Sequence, residues 1–143
     1  MTQEDKELLL KDLCARLPYN VICQVEFKEN RKYNSKVMLL SGIFTDDAYF
    51  TTKGGSIYSN EYKPYLFPLS SMTSEQLFEV QEILGKNEIE IEDGFLHIVD
   101  SDRNVITYLE ILALLEWFYK NHFDIYGLIP MGLAIDATNL NIY

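Results

Sequence analysis

"NHFDIYGLIPMGLAIDATNLNIY", residues 121–143, decides how the chain closes. It is too apolar for a loose tail, so it is either a functional loop or the last piece of a core. Asp124 and Gly127 suit positions one and four of a type I turn placed directly after a helix. Pro130 excludes a central strand there, while Leu133 and Ile135 alternate as a short edge strand would. Gly127 and Gly132 let the backbone turn and press close to other elements. The stretch is therefore predicted to pack back on the fold, with Leu128, Ile129, Leu133 and Ile135 substantially buried.

Working outward, Thr107 and Glu110 form a capping box, with Ile106 and Ile111 placed as a hydrophobic staple. Leu109, Leu112, Ala113, Trp117 and Phe118 make the following helix apolar nearly all round, which predicts the central core helix. Lys120 and His122 at its end complement the helix dipole. Upstream, "EIEIEDGFLHIV" (88–99) carries Asp93-Gly94, the signature of a two-residue type I′ turn. That turn pairs Glu92 with Phe95, Ile91 with Leu96, Glu90 with His97, Ile89 with Ile98 and Glu88 with Val99. Alternation puts the isoleucines and Leu96 on one face and the glutamates on the other.

In "KPYLFPLSSMTSEQL" (63–77), Pro64 and Pro68 hold an extended connection. Thr73 with Gln76 then caps a helix running to about Leu84, stapled by Met72 and Leu77, with Gly85 as its C′ residue. At the other end of the chain, Thr2 and Asp5 cap a helix over 3–16. Leu9, Leu10, Leu13 and Leu17 line it, with Leu8 on the flank, and Pro18 stops it. Val21–Phe27, Val37–Phe44 and Tyr49–Thr52 read as strands, and Lys53-Gly54-Gly55-Ser56 as a turn into Ile57-Tyr58. The expected fold is α+β: one compact domain over 1–143, with a small antiparallel sheet or meander and three helices. Its parts are an N-terminal helix, a β-rich first half at about 19–62, a joint at 63–72 and a helix–hairpin–helix–tail second half at 73–143.

With 143 residues, 48% hydrophobic and 13% aromatic, the chain has material for a packed core and is too apolar for disorder. No apolar run reaches the length of a membrane span. The charged start, Met-Thr-Gln-Glu-Asp-Lys-Glu, does not read as a signal peptide. Cys14 and Cys23 match no metal or redox spacing and are expected to be buried free thiols. A cytoplasmic location follows as an expectation. The formal net charge is −10. Residues 75–102 hold nine acids and one base, so this one block contributes −8. Direct binding to a nucleic-acid backbone is disfavoured, and a basic protein partner fits.

Motifs for chemistry are lacking. "DSDRN" (100–104) resembles the start of an EF-hand loop, but Val105 and Ile111 stand where Gly and Glu are needed. Gly54-Gly55 lacks phosphate-loop spacing. His122 and Asp124 could hold a metal or orient an imidazole, but no third ligand is spaced to join them. His97 faces Glu90 across the hairpin. There is no nucleophile elbow, and alternating glutamates are more often a solvated strand face than an acid–base pair. No catalytic, cofactor-binding or metal residues are assigned.

Two quoted stretches, 63–76 and 121–137, together with the opening "TQEDKELLLKDLCARLPY" (2–19), resemble a family of small uncharacterised proteins. These occur in gut Bacteroides-type bacteria, their phages and integrated elements. Phe67 and Ile125-Tyr126 depart from an arginine and a Tyr-Arg pair expected in relatives. The resemblance implies a soluble protein carried as phage or mobile-element cargo and brings no activity, cofactor or catalytic residue. The favoured reading is a non-catalytic protein-interaction module. Its surface combines Glu88, Glu90 and Glu92 of the hairpin with Glu75, Glu79 and Glu82 of the preceding helix. The alternatives are a small enzyme or ligand binder, with a cleft between the two halves near Tyr65 and the tail, and an acidic nucleic-acid mimic.

Overall fold

The computed structural model describes residues 1–29, 32–44, 47–52, 55–85, 88–93, 95–99 and 107–143. The first helix, α1 (Gln3–Arg16), opens as its sequence dictates. The Thr2 hydroxyl accepts from the Asp5 amide and the Asp5 carboxylate accepts from the Thr2 amide, pairing both groups reciprocally. Pro18 tightens Leu17–Tyr19 into a 3-10 turn, and Asn20, at φ 57°, turns the chain into the sheet.

Five consecutive strands follow: β1 (Ile22–Glu29), β2 (Lys32–Phe44), β3 (Asp47–Thr52), β4 (Gly55–Ser59) and β5 (Glu61–Leu66). The first four form an antiparallel meander. β5 returns to the free side of β1, so the order is β4-β3-β2-β1-β5. Alternation sends Val21, Cys23, Val25, Met38, Leu40 and Phe50 to one face, where Leu9 and Leu13 of α1 cover them. At the bulge between Leu40 and Gly42 the Tyr49 ring lies where a Cβ on residue 42 would be, which requires glycine there.

β5 corrects the sequence reading, which treats residues from 63 on as a connection between halves. Pro64 lies within the strand, opposite Cys23. Proline keeps a ladder intact only where its nitrogen faces away from the partner. On that side of β5 pairing begins one residue later, at Tyr65. The extended conformation imposed by Pro64 is thus part of the sheet.

The second half starts at α2 (Ser74–Leu84), with the expected Thr73–Gln76 capping box and with Gly85, at φ 64°, as the C-cap itself rather than the C′ residue. The hairpin β6 (Glu88–Glu92) and β7 (Phe95–Val99) has the register that Asp93-Gly94 predicts; Gly94 itself lies outside the described residues. α3 (Tyr108–Lys120) begins at the Thr107–Glu110 box. Ile106 of the predicted staple and the "DSDRN" stretch lie outside the described residues.

The tail crosses back to the first half. Phe67 donates its amide to the His122 carbonyl at 2.9 Å and accepts from the Asp124 amide at 2.8 Å. Ile135–Asp136, β8, then adds to Tyr65-Leu66 as an edge strand. The pairing is parallel, so the sheet is mixed rather than wholly antiparallel. Leu128 and Leu133 are buried with the α1–sheet cluster, and Ile129 and Ile135 are half-buried. Among the described residues the fold is α+β with three helices, and the core has two clusters. One lies between α1, the sheet and the tail; the other joins Val80 and Leu84 of α2, Leu114 and Phe118 of α3, Leu69 and Phe123.

α3 is not the central helix that its composition predicts. It buries Leu114 and Phe118, while Tyr108 (73%), Leu109 (75%), Ile111 and Leu112 are exposed. The sheet's second layer is supplied by α1 and the tail, so α3 buries one side against the α2–hairpin cluster and meets α1 only near its C-terminal end, at Tyr119. Cys14 also differs from expectation: both thiols are free, but Cys14 is exposed and only Cys23 is buried.

Candidate functional site

The predicted acids fall on two surfaces. In α2, Glu75, Glu79 and Glu82 recur at helical spacing on the side away from buried Val80 and Leu84, and all three are exposed. Phe78, also exposed, lies among them. In the hairpin, Ile91 and Ile98 pack into the cluster that contains Val80 and Leu84. Alternation therefore turns the exposed Glu90 and Glu92 away from α2. The Glu88 side chain lies outside the described residues.

The α2 acids meet α3 on its partly buried side, at Trp117. Trp117 donates its indole N–H to Glu79 at 2.9 Å, tying the two helices together. Upstream of Trp117 on α3 come Tyr108, Leu109, Ile111 and Leu112, all exposed. Reserved for the core by sequence reasoning, these residues escape a search for charge. Their signal is a helix apolar beyond one stripe, which signifies either full burial or an unpaired face.

A second concentration of polar groups is internal. Arg16 donates to Asp12 through Nε (2.6 Å) and Nη2 (2.9 Å), and Nη2 also donates to the Phe123 carbonyl at 2.6 Å. Both side chains are fully buried, and the guanidinium lies over the Tyr119 ring at 5.1 Å. The fork geometry makes this a strong pair, and it fastens α1 to the end of α3. Burial pushes the Asp12 carboxyl above its ordinary value, against the pull of Arg16. The sequence signal was available: Leu9, Asp12, Leu13 and Arg16 fall on one helix face, so two charges interrupt the apolar stripe.

His122, at φ 59°, stacks on Tyr143 with ring centroids 3.8 Å apart. Its Nδ1 and Nη1 of Arg16 are buried without a hydrogen-bond partner among the described residues. Burial, with the Arg16 charge second, lowers the His122 pKa to about 4. Asp124 does not pair with it. Its carboxylate oxygens accept from the amides of Leu128 and Ile129, each at 2.8 Å, and so hold the turn of the tail. The His-x-Asp pair is thus pulled apart by structural tasks. Among the described residues no three potential ligands gather around a metal position.

Beside this network the end of the chain forms an open groove of about 400 Å³ between Phe67 and residues 137–143. It lies near Tyr65, where sequence reasoning places a cleft, because the Tyr143 hydroxyl donates to the Tyr65 carbonyl at 2.8 Å.

No protein-family model, curated protein or solved structure matches the chain significantly. Among the described residues no helix is long and apolar enough to cross a membrane.

Proposed function

We propose that the chain is a non-catalytic protein-interaction module that uses the exposed side of α3 together with the acids of the neighbouring helix α2. The observation that carries this reading is the placement of Tyr108, Leu109 and Leu112 in solvent on the most apolar helix of the chain. Contiguous exposed apolar side chains beside a polar rim mark contact sites on soluble folds. Glu75, Glu79 and Glu82, in a block of charge −8, select a partner whose apolar face is bordered by Lys and Arg, and speed its encounter. The division of the acids over two surfaces argues against a phosphate-like row, and so favours this reading over nucleic-acid mimicry. The resemblance of residues 63–76 and 121–137 to small phage and mobile-element proteins fits a cargo protein directed at a cellular target.

The test is affinity capture at low and high salt with the parent chain, a Leu109→Asp/Leu112→Asp variant and a Glu75→Lys/Glu79→Lys/Glu82→Lys variant. A partner captured by the parent should be lost with the first variant and bind more slowly with the second. Capture unchanged by both variants, or no partner at all, would overturn the reading.

A further inference from the structure

We infer that the groove between Phe67 and the tail is a binding site for a neutral, hydroxyl-rich ring such as a pyranoside. The inference is independent of the α3 surface.

The central feature is Tyr143, a ring held from several sides. Its hydroxyl donates to the Tyr65 carbonyl at 2.8 Å and accepts from the Ile22 amide at 3.1 Å. One ring face is stacked on His122, nearly parallel at 11°, and Phe67 meets it at a tilt, with centroids 5.9 Å apart. Even so, Tyr143 remains 42% exposed and lines the groove. An aromatic fixed before binding loses little entropy when a ligand covers it. Fixing a surface tyrosine this firmly leaves a rigid apolar platform where most surface side chains are free to rotate.

Around that platform the lining supplies hydroxyl and amide groups. Thr138, Asn139 and Asn141 border the groove, and all three are exposed. Thr138 is held by Asp136, whose carboxylate accepts from both its amide (2.9 Å) and its hydroxyl (2.5 Å). A carboxamide offers two donors and an acceptor that takes two bonds, a set matched by neighbouring ring hydroxyls, which both donate and accept. No lining side chain is charged. A phosphorylated or carboxylated ligand would find no cation there and would approach a chain of charge −10. A pyranoside has a C–H face to lay on Tyr143 and equatorial hydroxyls for the amides. The groove is shallow and open, so it fits the terminal ring of a glycan, much of which stays in solvent.

Saturation-transfer NMR on the full chain tests this with methyl β-glucoside, methyl β-galactoside and methyl α-mannoside, against adenosine and uridine as neutral planar competitors. At least one glycoside should receive saturation through its C–H face. Asn139→Ala, which removes an exposed amide without touching the core, should weaken that binding at least tenfold. Tyr143→Leu should abolish it, with folding of each variant checked by circular dichroism. The inference fails if none of the three glycosides binds at millimolar concentration, if only the nucleosides bind, or if glycoside binding survives Asn139→Ala unchanged.

Discussion

α1 and α3 make opposite use of their sequences. α1 buries two charged residues, Asp12 and Arg16, completely. α3 has a run of leucines and aromatics and leaves much of it in water. Composition alone would reverse these roles. The difference follows from what each helix faces. α1 lies across the sheet, where any side chain on its inner face is covered, so a charge there must find a partner. α3 lies beside α2 and the small hairpin, which cover one side, and α1 reaches it only near Tyr119. A polar stripe can be buried if it is paired, and an apolar one can stay exposed if nothing in the fold reaches it.

The largest expected effect comes from breaking the α1 pair. Arg16→Ala leaves the Asp12 carboxylate buried and alone and should cost about 3–5 kcal/mol of stability in urea unfolding. Asp12→Leu combined with Arg16→Met removes both charges and should recover most of that loss. A double variant as unstable as the single one would mean that the Arg16 bond to the Phe123 carbonyl, not the ion pair, holds the helix.

Within α3 the contrast can be measured directly. Phe118→Ala empties a buried aromatic site and should cost about 3–5 kcal/mol. Leu109→Ala, nine residues earlier, should stay within about 0.5 kcal/mol. Near-equal losses would show that the exposed side of α3 is covered in solution, for example by a second copy of the chain.

Acid should act on the end of α3 through His122. Its pKa falls from 6.5 to about 4 on folding, so the folded state favours the neutral imidazole. The resulting stability is fully present above pH 6.5, falls as pH drops below that value, and is gone below about pH 4. Asn tolerates positive φ, so His122→Asn should flatten this slope with the backbone turn intact. A slope unchanged in that variant would assign the acid sensitivity to other groups. A smaller loss than at Phe118 is expected of Thr107→Ala, which removes the α3 N-cap at a cost of about 1 kcal/mol.

Several local signals were legible. The three capping boxes and the hairpin register follow from residues within four positions of one another, and the structure shows each. What the sequence hid was non-local. That β5 inserts beside β1, that β8 runs parallel to it, and that α1 rather than α3 covers the sheet all depend on contacts between distant parts of the chain. Pro64 misled because proline argues against a strand interior, and its tolerance here depends on a neighbour, β8, that begins one residue further on. The acidic residues were legible as a block; their division over two surfaces needed the packing of Ile91. The groove needed both Phe67 and Tyr143, which no local pattern relates.

The late arrival of β8 bears on synthesis. The meander and β5 are complete once Leu66 has been made, but the edge of β5 is covered only when Ile135 and Asp136 arrive, 70 residues later (136 − 66). At ~5–20 residues per second, a ribosome needs roughly 4–14 s for that interval. During it the nascent sheet presents a bare strand edge, the usual template for pairing with another chain. Pro64 stands on that edge. A residue with no amide hydrogen to offer interrupts the row of donors that a foreign strand would need, so the proline that obscured β5 in the sequence guards it on the ribosome until the tail takes its place.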